Sequence, residues 1–232
     1  MCKSVASRHV IRALPRCADA DSLMVCYADV TGDQQSKKGI IDVYDIFGNA
    51  PQTFQGADML AEGLGAVVIV PDFFKGEALP PDVFPPDTDE KKQIAEKFLA
   101  EQANIPKNTE ALLQTAAEAK KQWPSVKNWG AFGLCWGGKI VVLASAGGSP
   151  FVVSGTAHPG RLDKEDALKL TIPHIILASP GEPVEVLNAY AEIFKNGDKV
   201  GEVETYHTMF HGWMGSRANL QNPENAKEFE RG

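Results

Sequence analysis

Apolar residues in this chain fall in short unbroken runs, and between the runs lie stretches in which apolar and charged positions recur at helical spacing. Ala66-Val67-Val68-Ile69-Val70 is the clearest run, and an uninterrupted apolar segment of that length is typical of a strand buried on both faces of a parallel sheet. Strands of the same kind are predicted at Ser22–Asp29, Lys38–Tyr44, Val126–Phe132, Phe151–Gly155, Ile172–Ala178 and Val203–Tyr206. The first two are divided by the turn-like Thr31-Gly32-Asp33. Helices are predicted from about Gln52 to Glu62, from Asp87 onward, from Asn108 to Gln122, from Lys139 to Ala144, from Val184 to Lys195, and from near Pro223. Between residues 71 and 86 the pairs Pro80-Pro81 and Pro85-Pro86 forbid regular structure. A loop this long inside a compact domain is usually a lid or a binding loop. Strand and helix alternate throughout, which predicts an α/β fold with a mostly parallel sheet covered on both faces. In such sheets reactive groups collect beyond the carboxyl ends of the strands.

That expectation directs attention to Gly133-Leu134-Cys135-Trp136-Gly137-Gly138, which lies between a predicted strand and a predicted helix. The pattern is that of a nucleophile elbow: small residues flank the cysteine because side chains there would clash across a sharp turn. The sulfur would sit at a helix N-terminus, where free N–H groups and the helix dipole favour a thiolate. Two further groups follow later strands, Glu182 in Ser179-Pro180-Gly181-Glu182-Pro183 and His211 in His211-Gly212-Trp213. Nucleophile, acid, histidine is the chain order of the α/β-hydrolase triad. His207 competes with His211 but lacks the adjoining glycine that lets a loop approach closely, and His174 sits within an apolar strand as a core or edge residue. His158 ends a strand on the same edge, where it either contacts substrate or is held by structural hydrogen bonds.

Composition narrows the chemistry. With 232 residues and 44% hydrophobic content, the chain suits a single domain spanning 1–232. A net charge of −7 leaves no electrostatic footprint for nucleic acid, and no apolar run reaches the roughly 20 residues of a membrane span. The four cysteines show no C-x-x-C spacing, which favours a reducing, cytoplasmic compartment. The first 18 residues are basic and carry no acid before Asp19, the composition of a mitochondrial transit peptide, so targeting there is the lesser expectation. The histidines and cysteines lack metal-ligand spacing and no G-x-G-x-x-G or Walker pattern occurs, so neither metal nor cofactor is expected.

Taken together, these segments resemble the dienelactone hydrolase family. The G-x-C-x-G-G elbow and the His-Gly-aromatic segment at His211 are similar to that family's motifs. So are Tyr44-Asp45-Ile46-Phe47-Gly48 and Pro71-Asp72-Phe73-Phe74, and the resemblance, to fungal-type members, runs from about Ser22 to beyond His211. It implies a three-layer α/β-hydrolase fold and a cysteine-dependent hydrolase of a small lactone or ester, working as a monomer or homodimer without cofactor. The implied roles are Cys135 as nucleophile, His211 as base and Glu182 as orienting acid, with the backbone N–H groups of Trp136 and Ile46 as oxyanion hole. Asp45 would either gate the thiol or cap the strand end, and Phe47, Trp136 and Trp213 either wall an apolar pocket or pack within the core. The chain departs from the family in carrying Glu182 where Asp is usual and Trp213 where Phe is usual. Two other readings stand beside this one. A binding protein on the same fold is compatible with the Glu182 departure. A glutamine amidotransferase-like domain also uses G-x-C-x-G, but Gly138-Lys139 and His211-Gly212-Trp213 do not fit its usual continuation.

Overall fold

The structure, a computed structural model, describes residues 12–13 and 27–232 except 198. Of the basic leader-like segment, only Arg12–Ala13 fall within the described residues, as does only the end of the strand expected from Ser22. Eight strands form one sheet: β1 (Arg12–Ala13), β2 (Tyr27–Gly32), β3 (Lys38–Val43), β4 (Val67–Pro71), β5 (Asn128–Leu134), β6 (Val153–Ala157), β7 (His174–Ala178) and β8 (Gly201–Thr205). Their order across the sheet is β1-β2-β4-β3-β5-β6-β7-β8. The pairs β1/β2 and β2/β4 are antiparallel and every other neighbouring pair is parallel.

Helices α1 (Pro51–Leu64), α2 (Asp89–Ala100), α3 (Ile105–Gln122), α4 (Trp136–Ala144), α5 (Lys164–Lys169), α6 (Val184–Lys195) and α7 (Pro223–Arg231) complete three layers. Alternation along β7 shows how the layers divide. Ile176 and Ala178 pack with Val142, Leu170, Leu187 and Tyr190 of the α4–α6 side. Leu177, between them, packs with Tyr206, Met209 and Trp213 on the other face. The architecture is the mostly parallel α/β-hydrolase arrangement expected from the sequence.

Element ends depart from expectation where local chemistry decides them. Thr31 and Gly32 belong to β2 because they pair with Val68 and Val67 of β4, so the turn starts only at Asp33. Helix α3 begins three residues early because the Asn104 side chain accepts from the Lys107 N–H at 3.0 Å and caps it, with Pro106 in its first turn. Helix α5 was not legible as a helix. A capping box at Asp163 and Asp166, and a buried ion pair from Lys139 of α4 to Asp166, fix it in place.

The position of α4 depends on missing side chains. A Cβ on Gly137 would lie 2.0 Å from the Val43 carbonyl oxygen, one on Gly133 2.4 Å from the Gly137 carbonyl oxygen, and one on Gly138 2.0 Å from Thr156 Oγ1. Two of the three obstacles are backbone, which cannot rotate away, so the helix reaches the ends of β3 and β5 only with glycine there. It therefore starts at Trp136, directly after Cys135, rather than at Lys139. Gly137→Ala should accordingly destabilise the fold by more than an ordinary core substitution, beyond about 3 kcal/mol. Urea denaturation checks this, and a loss under 1 kcal/mol would mean that α4 can shift away.

Candidate active site

Five strands deliver side chains to the carboxyl edge of the sheet: Asp45 after β3, Cys135 after β5, His158 after β6, Glu182 after β7 and His211 after β8. Cys135 is the N-cap of α4 and has φ 52°, ψ −110°. A left-handed non-glycine residue of this kind costs of order 1–3 kcal/mol and persists only where its surroundings over-determine it. Those surroundings are visible: the Cys135 N–H donates to the Ala157 carbonyl at 3.1 Å, and its carbonyl accepts from Gly138 N–H at 3.1 Å and Gly160 N–H at 2.9 Å. The thiol is half-buried at the tip.

His211 bridges the sulfur and a carboxylate. Its Nε2 lies 3.1 Å from Cys135 Sγ and its Nδ1 lies 2.7 Å from Glu182 Oε1. Glu182 is buried, with a side chain only 2% exposed, rather than solvated in a surface turn. It curls back over that turn so that Oε1 also accepts from Ser179 Oγ at 3.2 Å and Oε2 accepts from the Ser179 N–H. The methylene that separates Glu from Asp is thus absorbed by the fold-back, and Ser179 is an anchor that no sequence pattern singled out. Burial disfavours a charged His211, but its hydrogen bonds to Cys135 and then to Glu182 outweigh that and raise the imidazole to about 10.

Other residues take places that the sequence did not foretell. Asp45 is buried, yet its carboxylate meets neither sulfur nor ring through a hydrogen bond. Oδ1 accepts from Phe47 N–H at 2.9 Å, and Oδ2 accepts from Ser216 N–H at 2.8 Å and Ser216 Oγ at 2.7 Å. Burial pushes this carboxyl up, against those hydrogen bonds. In this geometry Asp45 clamps the loop after His211. His158 is fully buried with its ring set edge-on to that of His211 at 5.2 Å, and neither nitrogen has a partner. Burial, then the neighbouring charge of His211, holds it neutral. It backs the histidine rather than reaching a substrate.

Trp213 is 0% exposed and stacked on Tyr206, and the Trp136 indole donates to the Ala103 carbonyl inside the core, so neither walls a pocket. Trp213 stacks on its neighbour and Trp136 packs among Tyr44, Phe73 and Phe74, tilted or edge-on to the two phenylalanines, which buries more of each indole than an exposed wall could. His207 is exposed and outside the site, and His174 is buried against Ser154 Oγ. Phe47 does line a cavity, of about 560 Å³, together with Pro81, Phe84, Ser216 and Arg217. Arg217 was not anticipated. Its guanidinium donates to the His211 carbonyl at 2.9 Å and lies 5.5 Å from the Phe84 ring centre. Among the described residues no group of side chains could hold a metal ion, and no helix is long and apolar enough to cross a membrane.

A sequence model of the dienelactone hydrolase family matches residues 27–231, nearly everything from β2 to the end of α7. The chain belongs to the dienelactone hydrolase family. Within reach of this hydrolase family are an uncharacterized AIM2 family protein of Schizosaccharomyces pombe and a carboxymethylenebutenolidase homolog of Xenopus tropicalis. The first is 35% identical over 87% of this chain and 81% of that protein. The second is 28% identical over 81% of this chain and 74% of that protein. In three dimensions the chain is similar to a putative dienelactone hydrolase from Klebsiella pneumoniae, with a TM-score of 0.74 over 97% of this chain and 96% of that one at 15% identity, a likeness of fold.

The electrostatics of this member of the family can be checked directly. A histidine raised in the folded state contributes stability in full below its ordinary value near 6.5, and that contribution is lost as pH climbs toward about 10. Imidazole NMR should therefore find His211 protonated at neutral pH, and Glu182→Gln should move its titration down. A wild-type ring that titrates near 6.5 would mean that the carboxylate–imidazole–sulfur chain is not formed in solution.

Proposed function

We propose that the protein is a cysteine-dependent hydrolase of small esters or lactones, with Cys135 as nucleophile, His211 as proton carrier and Glu182 as its orienting acid. The observation that carries this reading is the unbroken chain from Glu182 through His211 to a sulfur held in a strained turn at a helix N-terminus. The tautomer follows from the contacts: Glu182 accepts the Nδ1 proton, leaving Nε2 to exchange a proton with sulfur or substrate.

In the first half-reaction the sulfur attacks the carbonyl carbon. Oxygen takes the π electrons, and then the carbon–oxygen bond breaks while Nε2–H gives its proton to the departing alkoxide. In a lactone that alkoxide stays tethered to the acyl group. In the second half-reaction Nε2 takes a proton from water as the water attacks the thioester, and the sulfur leaves with its electron pair. Negative charge on the carbonyl oxygen requires donors in both halves. The N–H groups of Trp136 and Ile46 suit this role by position, the first opening α4 directly after Cys135 and the second following Asp45 beyond the end of β3. Each such donor is worth about 2.7–4 kcal/mol in the transition state. The cavity beside Phe47 and Phe84 offers an apolar wall for the acyl or alcohol part.

Cys135→Ala should abolish turnover of a short-chain chromogenic ester while thermal denaturation stays close to wild type. Glu182→Gln should lower kcat by about 100-fold with little change in KM, since the lost charge acts on the imidazolium that re-forms as water attacks the thioester. Glu182→Asp should fall between, because the shorter chain cannot both reach His211 and rest on Ser179. Near-wild-type kcat in Glu182→Gln would reduce the machinery to a Cys–His pair, and an active Cys135→Ala would end the cysteine mechanism.

A further inference from the structure

The sheet's other face holds a second cavity that the hydrolysis proposed above does not use. It lies between α1 and α7, over Asp42 of β3 and Phe132 and Leu134 of β5, and its volume is about 300 Å³. Leu60, Met214 and Phe229 make most of the rest of its wall apolar. Set in that wall are two polar atoms with no protein partner, Asp42 Oδ1 and Thr53 Oγ1, on side chains 2% and 0% exposed. An unpaired buried polar atom costs about 1–3 kcal/mol, and here two such atoms belong to residues that line the same cavity. Neighbours on β3 make the contrast sharper, since Ile41 and Val43 are fully buried hydrophobics in the packed face. Burial, then the charge of Asp45, pushes Asp42 up to about 7.

Helix α1 keeps the space open. Gly56 lines the cavity, and a Cβ there would meet only Phe229, at 3.5 Å, while at Gly63 it would meet nothing within 4 Å. Glycine inside a helix costs about 1 kcal/mol relative to alanine, and at neither place does crowding demand it. The absent side chains leave space in the wall that Asp42 and Thr53 also line.

We propose that this cavity is a binding site for a small apolar molecule bearing one hydroxyl group, a phenol or an aryl alcohol. A hydroxyl answers both orphaned atoms, donating to Asp42 Oδ1 and accepting from the Thr53 hydroxyl, while the apolar body replaces water against Leu60, Leu134 and Phe229. An ammonium group would satisfy Asp42 but has no lone pair for Thr53 to donate into. The other charged groups on the cavity, Glu230 and Arg231, come from α7, and Arg231 is engaged by Glu228 and Glu204.

Calorimetric titration of the full chain with 4-ethylphenol and with its methyl ether tests the assignment. The phenol should bind one to one and at least ten-fold more tightly than the ether. Gly56→Leu, which fills the cavity from α1, should abolish phenol binding and leave ester hydrolysis within two-fold of wild type. Asp42→Leu should stabilise the protein, since it removes an unpaired acceptor without changing the shape much, and should erase the preference for phenol over ether. Equal binding of the two probes, phenol binding that survives Gly56→Leu, or no binding up to several millimolar overturns the proposal. None of the three overturning results depends on whether Cys135 turns over an ester.

Discussion

The approach of α4 to the sheet is the constraint from which the rest of the site follows. Its first turn passes so close to the ends of β3, β5 and β6 that three positions have no room for a Cβ. That proximity forces the residue between strand and helix into a left-handed conformation, and the residue is Cys135. Its neighbours then hold it there through three backbone hydrogen bonds. The strain is local, and the parallel strands and the α3 and α4 core beneath supply the stability that sustains it.

Around the elbow, buried polar groups are used to fix loops in register. Glu182 is tied to the end of β7 through Ser179, Asp45 ties the end of β3 to Ser216, and Tyr44 donates its hydroxyl proton to Asp72 at 3.0 Å while accepting from Phe74 N–H at 2.7 Å. The first clamp closes a single turn, whereas those of Asp45 and Tyr44 join segments far apart in sequence across the carboxyl edge of the sheet. Buried acceptors of this kind are costly unless satisfied, so every clamp favours one loop conformation over its alternatives.

Much of this was legible in the chain. Continuous apolar runs marked the parallel strands because those strands are buried on both faces, and glycine marked the elbow because backbone crowding leaves no other choice. Cys135, Glu182 and His211 could be placed at three strand ends by their order alone, and the structure brings them within hydrogen-bond distance. What lay beyond the sequence were partnerships made at long range. Nothing near Asp45 announces Ser216, which is 171 residues away, and nothing in the turn at Glu182 announces its burial. For Trp213 and Trp136 the chain left pocket wall and core packing equally open, and the structure has both packed inward against other rings. Asp42 was hidden within a strand pattern that looked uniformly apolar, and Arg217 carried no motif at all.

The loop that carries His211 lies between β8 and α7, and both of its neighbours hold it. Tyr206 stacks on Trp213 at 4.5 Å, Arg231 of α7 sits 3.8 Å over the Tyr206 ring, and Asn225 donates to the Trp213 carbonyl at 3.0 Å. The seat of the imidazole is therefore set as much by the C-terminal helix as by the strand before it, so the precision of the reactive pair depends on Asn225 and Arg231, which touch neither the sulfur nor the ring.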